Sequence, residues 1–161
     1  MNTIFLLDLV YIAGFLDGDG SICAQLVRGK AYKWGFTIRV TIQFTQLTKR
    51  RVFLEKLQNI IGAGYICDRP KVNRNLTISD YVITNVSQVY KLLVQLQPFL
   101  KIKQKQANLV IRLIEQMPLA KISKDVFIQQ TLLVDQIAAL NDSKSRTITS
   151  NTVILHLNSK A

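Results

Sequence analysis

The 161-residue chain carries a formal charge of +11, and 48% of its residues are hydrophobic. This length fits one domain spanning 1–161, the apolar share can fill a core, and the charge favours a polyanionic partner, because Lys and Arg beside phosphates release condensed counterions. The apolar N-terminal stretch is broken by Asp8 and Asp17, too short for a membrane span of ~18 apolar residues, and it lacks the positive leading segment of a secretory leader.

Phe5 to Asp17 predicts an apolar helix ended by Gly18 and Gly20. Within it Gly14 and Gly18 lie four apart on one face, beside Ala13 and Asp17. Small residues at that spacing let two helix backbones approach closely, either between two copies of the chain or inside one. Asp17-Gly18-Asp19-Gly20 then sets two carboxylates at the helix C-terminus, where the helix dipole is negative. A divalent cation would relieve that conflict. Mg²⁺ asks for few protein ligands, and one carboxylate with a backbone carbonyl and phosphate oxygens would serve. A plain turn is the competing reading, since Asp-Gly pairs favour turns. A calcium loop of the EF-hand kind is excluded: counted from Asp17, its sixth position is Ile22 instead of Gly and its twelfth is Arg28 instead of Glu.

Two strands follow, Ser21–Val27 and Gly35–Thr45, joined by a hairpin loop over Arg28–Trp34. The second alternates cleanly: Phe36, Ile38, Val40, Ile42 and Phe44 on one face, Thr37, Arg39, Thr41, Gln43 and Thr45 on the other. Ser21, Cys23 and Gln25 line the matching face of the first strand, and Arg69 joins from a later hairpin. These polar groups suit base edges, with Arg able to pair bidentately with guanine and Gln with adenine, and a β-ribbon can enter a major groove. An ordinary solvated sheet face is the alternative.

Thr48 reads as the N-cap of a helix carrying Val52, Phe53, Leu57, Ile60 and Ile61, with Gly62 at its stop. A second hairpin runs from Tyr65–Arg69 through a polar loop, Pro70–Leu76, to Thr77–Ile83. Asn85 with Gln88 resembles a capping box opening a helix to about Gln97. Helices at about Gln104–Gln116 and Lys124–Leu140 follow, then a polar tail from Asn141. The order αββαββα plus further helices is an α+β fold with an antiparallel sheet. Cys23 and Cys67 form no CxxC pair and read as reduced small hydrophobes on strands. His156 is the only histidine, which excludes His-based triads and paired-His zinc sites.

Tyr11-Ile12-Ala13-Gly14-Phe15-Leu16-Asp17-Gly18-Asp19-Gly20 resembles the motif of LAGLIDADG homing endonucleases, with Phe15 and Gly18 as conservative variations. The segments Gln43–Arg51, Leu96–Asn108 and Val134–Lys144 also resemble single-motif members of that family, so the resemblance covers essentially the whole chain. It implies a saddle-shaped sheet with C-terminal helices, and a homodimer whose motif helices pack at the dyad through Ala13, Gly14, Asp17 and Gly18. It further implies Mg²⁺ held by Asp19 and the Gly18 carbonyl, with Mn²⁺ or Ca²⁺ able to substitute for binding. Gln46, Arg50 and Lys103 match positions that surround the active site; Lys101 and Lys105 flank Lys103, and only the resemblance selects among the three. The expected activity is Mg²⁺-dependent hydrolysis of both strands of a long, nearly palindromic DNA site, leaving 3′ overhangs. Ser21, Gln25, Tyr32, Thr37, Arg39, Thr41, Gln43, Tyr65, Arg69, Asp80, Lys144 and Arg146 are the expected DNA-contacting residues. Relatives sit in algal organelle introns, which implies an organellar, chloroplast compartment. No membrane or small-molecule substrate is implied. A non-cleaving nucleic-acid binder or intron maturase on the same fold is the alternative. Small Gly29 and Ala31, the apolar Cys67 and the Pro70–Leu76 loop depart from the family's base readers and bear on which bases are read.

Overall fold

A computed structural model of the chain describes residues 2–70, 77–141 and 146–159. The elements in order are α1 (Leu6–Asp19), β1 (Gly20–Arg28), β2 (Phe36–Leu47), α2 (Arg51–Ile61), β3 (Tyr65–Pro70), β4 (Thr77–Ile83), α3 (Val86–Leu96), α4 (Gln104–Ala120), α5 (Lys124–Leu140) and α6 (Ser150–Asn158), with short 3-10 turns at Thr48–Arg50 and Gln97–Phe99. The αββαββα order followed by further helices is the one the sequence predicts.

The four strands form one antiparallel sheet in the order β1-β2-β4-β3. Period two decides its two faces. Ile22, Ala24 and Leu26 of β1, Phe36 to Phe44 at even positions of β2, and Tyr81 and Ile83 of β4 are buried, and the helices pack on that side. Phe15 of α1 stacks on Phe44 at 5.6 Å, Phe44 stacks on Tyr81 at 5.7 Å, and Phe53 of α2 meets Phe15 edge-on at 4.9 Å. This aromatic file fixes α1 against the middle of the sheet. The Tyr81 hydroxyl donates to the Ala63 carbonyl at 2.6 Å, and burial pushes its phenol pKa up.

Helix boundaries differ from the sequence expectation at the end of α1, the start of α2 and the end of α4. The first helix does not stop at Asp17; it runs through Gly18 to Asp19, and Gly20 closes it by donating its N–H to the Leu16 carbonyl. A Cβ at Gly20 would lie 2.6 Å from Leu16 Cδ1 and 2.9 Å from Leu16 Cα, so this helix-to-strand corner requires glycine. Thr48 is not a side-chain N-cap: a 3-10 turn precedes α2, and the Thr48 hydroxyl accepts from Ser79 instead. Of the expected capping box at α3, Asn85 accepts the Gln88 N–H at 3.2 Å. The fourth helix continues past Gln116 to Ala120 with Pro118 inside it, because a proline in the last turn forfeits a single helical hydrogen bond.

The expected polar tail contains a helix. Thr149 and Thr152 form a reciprocal capping box, and Val153 and Leu157 are buried. Asp135 of α5 accepts the Ser150 N–H and pairs with Arg146 at 2.7 Å, which docks the start of α6 on α5.

Candidate active site and nucleic-acid interface

The end of α1 separates its two carboxylates. Asp17 points inward: one oxygen accepts the N–H groups of Lys101 and Ile102 at 2.7 and 3.1 Å, and the other accepts that of Lys103 at 2.9 Å. Burial would raise its pKa, but these three donors and the Lys103 charge outweigh it and hold the carboxyl below its ordinary value. The Lys103 ammonium donates to the Asp17 carbonyl. The loop before α4 is therefore tied to the last turn of α1 by both side chain and backbone of Asp17.

Asp19, two residues on and so about 200° further round the helix, is exposed. Its carboxylate accepts the Gln46 side-chain amide at 2.7 Å, and the Gln46 carbonyl accepts from Arg50 at 3.3 Å. Strand register explains the contact. Gln46 follows Phe44 on the helix-covered face of β2, but lies where the strand has run past the core, so its side chain meets the end of α1. Arg50 stands at the end of the following 3-10 turn. Asp19, Gln46 and Arg50 thus form one hydrogen-bonded chain, with Lys103 reaching the same helix end from the other side.

A helix leaves its last carbonyls without intrahelical partners. Here Leu16's is taken by Gly20 and Asp17's by Lys103, which leaves the Gly18 carbonyl beside the Asp19 carboxylate. Both are oxygen donors, the kind that hard divalent cations prefer. Among the described residues no three His, Cys, Asp or Glu side chains cluster; the oxygen donors side by side at this helix end are one carboxylate and one carbonyl.

Among the described residues much of the outward face of α1 is uncovered, with Tyr11 meeting Phe53 edge-on at 6.0 Å. A Cβ at Gly14 or Gly18 would meet nothing within 4 Å. Leu7 is 83% and Tyr11 60% exposed, and these four residues follow one another at helical spacing along a single stripe. Two residues expected in this seam do not belong to it. Ala13 is fully buried inside the chain, and Asp17 is occupied by the Lys101–Lys103 turn. The rotation of 100° per residue turns both towards the sheet side of the helix.

The polar face of the sheet assembles most of the predicted readers. Gln25 pairs across from Arg39, Cys23 from Thr41 and Ser21 from Gln43; Val82 of β4 links Gln43 to Tyr65 of β3. Gln25, Tyr32, Arg39, Tyr65 and Arg69 are exposed, while Ser21, Thr37, Thr41 and Gln43 are half-buried. Three expectations need correction or limit. Asp80 sits on this polar face, across from Thr45, but is covered there by its neighbours' side chains. It is 2% exposed, and its carboxylate accepts from Gln43 at 2.8 Å, Thr45 at 2.7 Å and Arg69 at 3.0 Å, so it orients readers on the two neighbouring strands. Arg146 is bound to Asp135 and to the Ile148 carbonyl, which makes it part of the α6 docking. Lys144 lies outside the described residues.

Thr45 shares the Asp80 hub yet was absent from the expected contact residues; its place two residues beyond Gln43 is the signal that marks it. Asp135 and Asn141, whose amide donates to the Ile22 carbonyl at 2.8 Å, carry no such signal, because their partners lie far along the chain. Both cysteines are free thiols, and burial pushes the Cys23 thiol pKa up despite a hydrogen bond from Ser21.

A family model described as LAGLIDADG endonuclease matches residues 12–110. The chain is 53% identical over 145 residues to DNA endonuclease I-CreI of Chlamydomonas reinhardtii, covering 90% of this chain and 85% of that protein. It is 33% identical over 147 residues to DNA endonuclease I-CvuI of Chlorella vulgaris, covering 91% and 88%. Among solved structures, homing endonuclease I-CvuI in complex with its target in the presence of calcium superposes with a TM-score of 0.85 at 31% identity, covering 95% of this chain and 94% of that one. The archaeal intron-encoded homing endonuclease I-Vdi141I complexed with DNA shares the fold, with a TM-score of 0.80 at 20% identity and coverage of 95% and 96%.

Proposed function

This chain belongs to the LAGLIDADG endonuclease family, and from that premise we propose that Asp19 is the metal-holding residue of a site-specific homing endonuclease that works as a homodimer. The observation that supports this most is the Asp19–Gln46–Arg50 chain at an unpartnered helix end. A lone carboxylate is a poor cation site. Two copies meeting along the Leu7–Tyr11–Gly14–Gly18 stripe would bring two such carboxylates to one dyad, opposite two scissile phosphates of a nearly palindromic duplex. Retention of this chain favours cutting over a non-cleaving binder or maturase. We propose that 1–161 acts as one domain in each half of the dimer.

Family membership carries divalent-metal use, and our proposal for the ion is Mg²⁺, with Mn²⁺ or Ca²⁺ able to take its place in binding. Asp19 and the Gly18 carbonyl would hold it. Bound there, the ion supplies charge stabilisation for in-line displacement at phosphorus and acidifies a water. Gln46 holds the Asp19 carboxylate in place and can orient a water without itself titrating. Arg50 fixes the Gln46 amide, so that its N–H₂ faces Asp19. Lys103, a flexible point charge, leaves the Asp17 carbonyl to meet charge developing on the phosphate. Gln25, Tyr32, Thr37, Arg39, Thr41, Gln43, Tyr65 and Arg69 read bases from the polar sheet face, with Ser21 and Lys144 as further contacts. Cleavage across the minor groove leaves 3′ overhangs. The relatives point to an organellar intron-encoded protein, and chloroplast is the compartment we propose.

A library of nearly palindromic duplexes, incubated with the chain with and without Mg²⁺, tests the reading. Linear products with 3′ overhangs from a narrow set of sequences, only with metal, support it. Cutting without metal, or cutting without sequence preference, would overturn it.

A further inference from the structure

The β1–β2 loop lies at the far end of its hairpin from the cutting centre. Gly20, beside Asp19, pairs with Phe44, while Arg28 and Phe36 close the opposite end of the nine-residue β1, roughly 27 Å away at strand rise. The loop carries Tyr32, and it is locked at three levels. Its own backbone closes it: Gly29 donates to Gly35, Tyr32 to Gly29 and Gly35 to Tyr32, at 2.8–3.2 Å.

Trp34 then pins it to the turn between α4 and α5. The indole N–H donates to the Ala120 carbonyl at 2.8 Å, and the ring stacks on the buried Phe127 at 6.4 Å. The Lys33 ammonium sits 4.5 Å over the indole and reaches the Ile122 carbonyl at 3.5 Å. The Ala120 carbonyl is the last of α4 and the Ile122 carbonyl lies in the turn just beyond it, at a helix end whose dipole favours donors and positive charge. Last, α6 braces the loop's exit. The His156 ring packs edge-on against Phe36 at 5.2 Å. Gly35 has φ +75, and a Cβ there would lie 2.8 Å from His156 Nε2, so neither backbone nor space admits another residue.

We infer that Trp34 is a positioning residue for target recognition: it clamps the β1–β2 loop onto the α4–α5 turn, so that Tyr32 meets the outer base pairs of the site already ordered. The inference rests on the endonuclease reading for its DNA, but not for the clamp. A loop ordered beforehand loses less conformational freedom on binding, and a fixed Tyr32 discriminates between bases that a mobile one would accommodate.

The chain holds one tryptophan, so Trp34 reports on its own clamp. In the free protein its emission should be that of a shielded indole, poorly quenched by acrylamide, and a cleavable duplex from the library should leave it nearly unchanged. Strong quenching in the free protein, relieved when duplex is added, would overturn the clamp whether or not the chain cuts DNA. Trp34→Phe keeps an aromatic ring to pack against Phe127 but removes the pyrrole half of the indole together with its N–H. It should raise KM about fivefold, the worth of one hydrogen bond, with kcat within about twofold, and relax base preference at the outer positions alone. Unaltered preference, or an equal loss at every position, would overturn the positioning role. Absence of cutting by the unmodified chain on every duplex would overturn the endonuclease reading and leave the fluorescence to decide the clamp.

Discussion

At the scale of single residues, the two carboxylates of the Asp17-Gly18-Asp19-Gly20 step have opposite fates. Asp17 is consumed by structure: its oxygens take the three N–H groups of the Lys101–Lys103 turn. Its pKa in the folded chain lies below the ordinary value, so the unfolded chain takes up its proton first as pH falls. The stability it contributes is therefore complete above the unfolded carboxylate value of about 3.9 and is lost as pH drops through the folded one. Asp17→Asn should cost about 2 kcal/mol at neutral pH, since hydrogen bonds to a charged acceptor are lost. Denaturant titrations of both proteins should converge only as pH falls through that lowered folded value; a gap that persists in stronger acid would show that charge is not the source. Asp19, free of such duties, keeps an exposed carboxylate steadied by Gln46.

At the scale of elements, α1 is apolar on all sides because both of its faces have uses. Ile12, Ala13 and Leu16 face the core, while Leu7, Tyr11, Gly14 and Gly18 face outward. Gly14→Leu separates the two uses. A side chain at Gly14 meets nothing within the chain, and leucine is the better helix former by about 1 kcal/mol, so the folded subunit should melt no lower than the parent. Two backbones could no longer approach, and sedimentation should show monomers; a stable dimer of this variant would place the seam elsewhere.

Much of this level was legible. Ten residues of strict alternation, Phe36 to Thr45, left β2 no other way to lie, and the polar face from Thr37 to Gln43 followed from it. Other features were hidden for physical reasons. Gly18 is a common stop signal, but here it stays helical and the close approach of Gly20 to Leu16 makes the corner. The nine-residue α6 owes its docking to Asp135 and Arg146, a tertiary pairing with no local pattern. The burial of Asp80 arises from the convergence of Gln43, Thr45 and Arg69 from the two neighbouring strands, so a sequence shows only a carboxylate at a reader's position. The tie between Asp17 and the Lys101–Lys103 turn spans more than eighty positions and is visible only when the chain is folded.

At the scale of the whole molecule, charge and symmetry act together. Each chain carries +11, and a dimer doubles the number of cations that can displace counterions from a duplex. Affinity should fall on the order of a thousandfold between 50 and 200 mM salt, with log–log linearity; fluorescence anisotropy of a labelled duplex measures it, and a flat salt response would contradict phosphate-dominated binding. On the proposed role of Asp19, the same net charge on a chain without that carboxylate would give a binder and nothing more. The central claim is therefore that Asp19 serves hydrolysis and not recognition. Parallel binding and cleavage measurements on one cleavable duplex in Mg²⁺ test it most directly, comparing the parent with Asp19→Asn. Asn keeps the shape and one oxygen for Gln46, so the variant should bind the duplex within a few-fold of the parent in Ca²⁺ and make no double-strand cuts in Mg²⁺. Cutting by Asp19→Asn at a rate near the parent's would contradict the account.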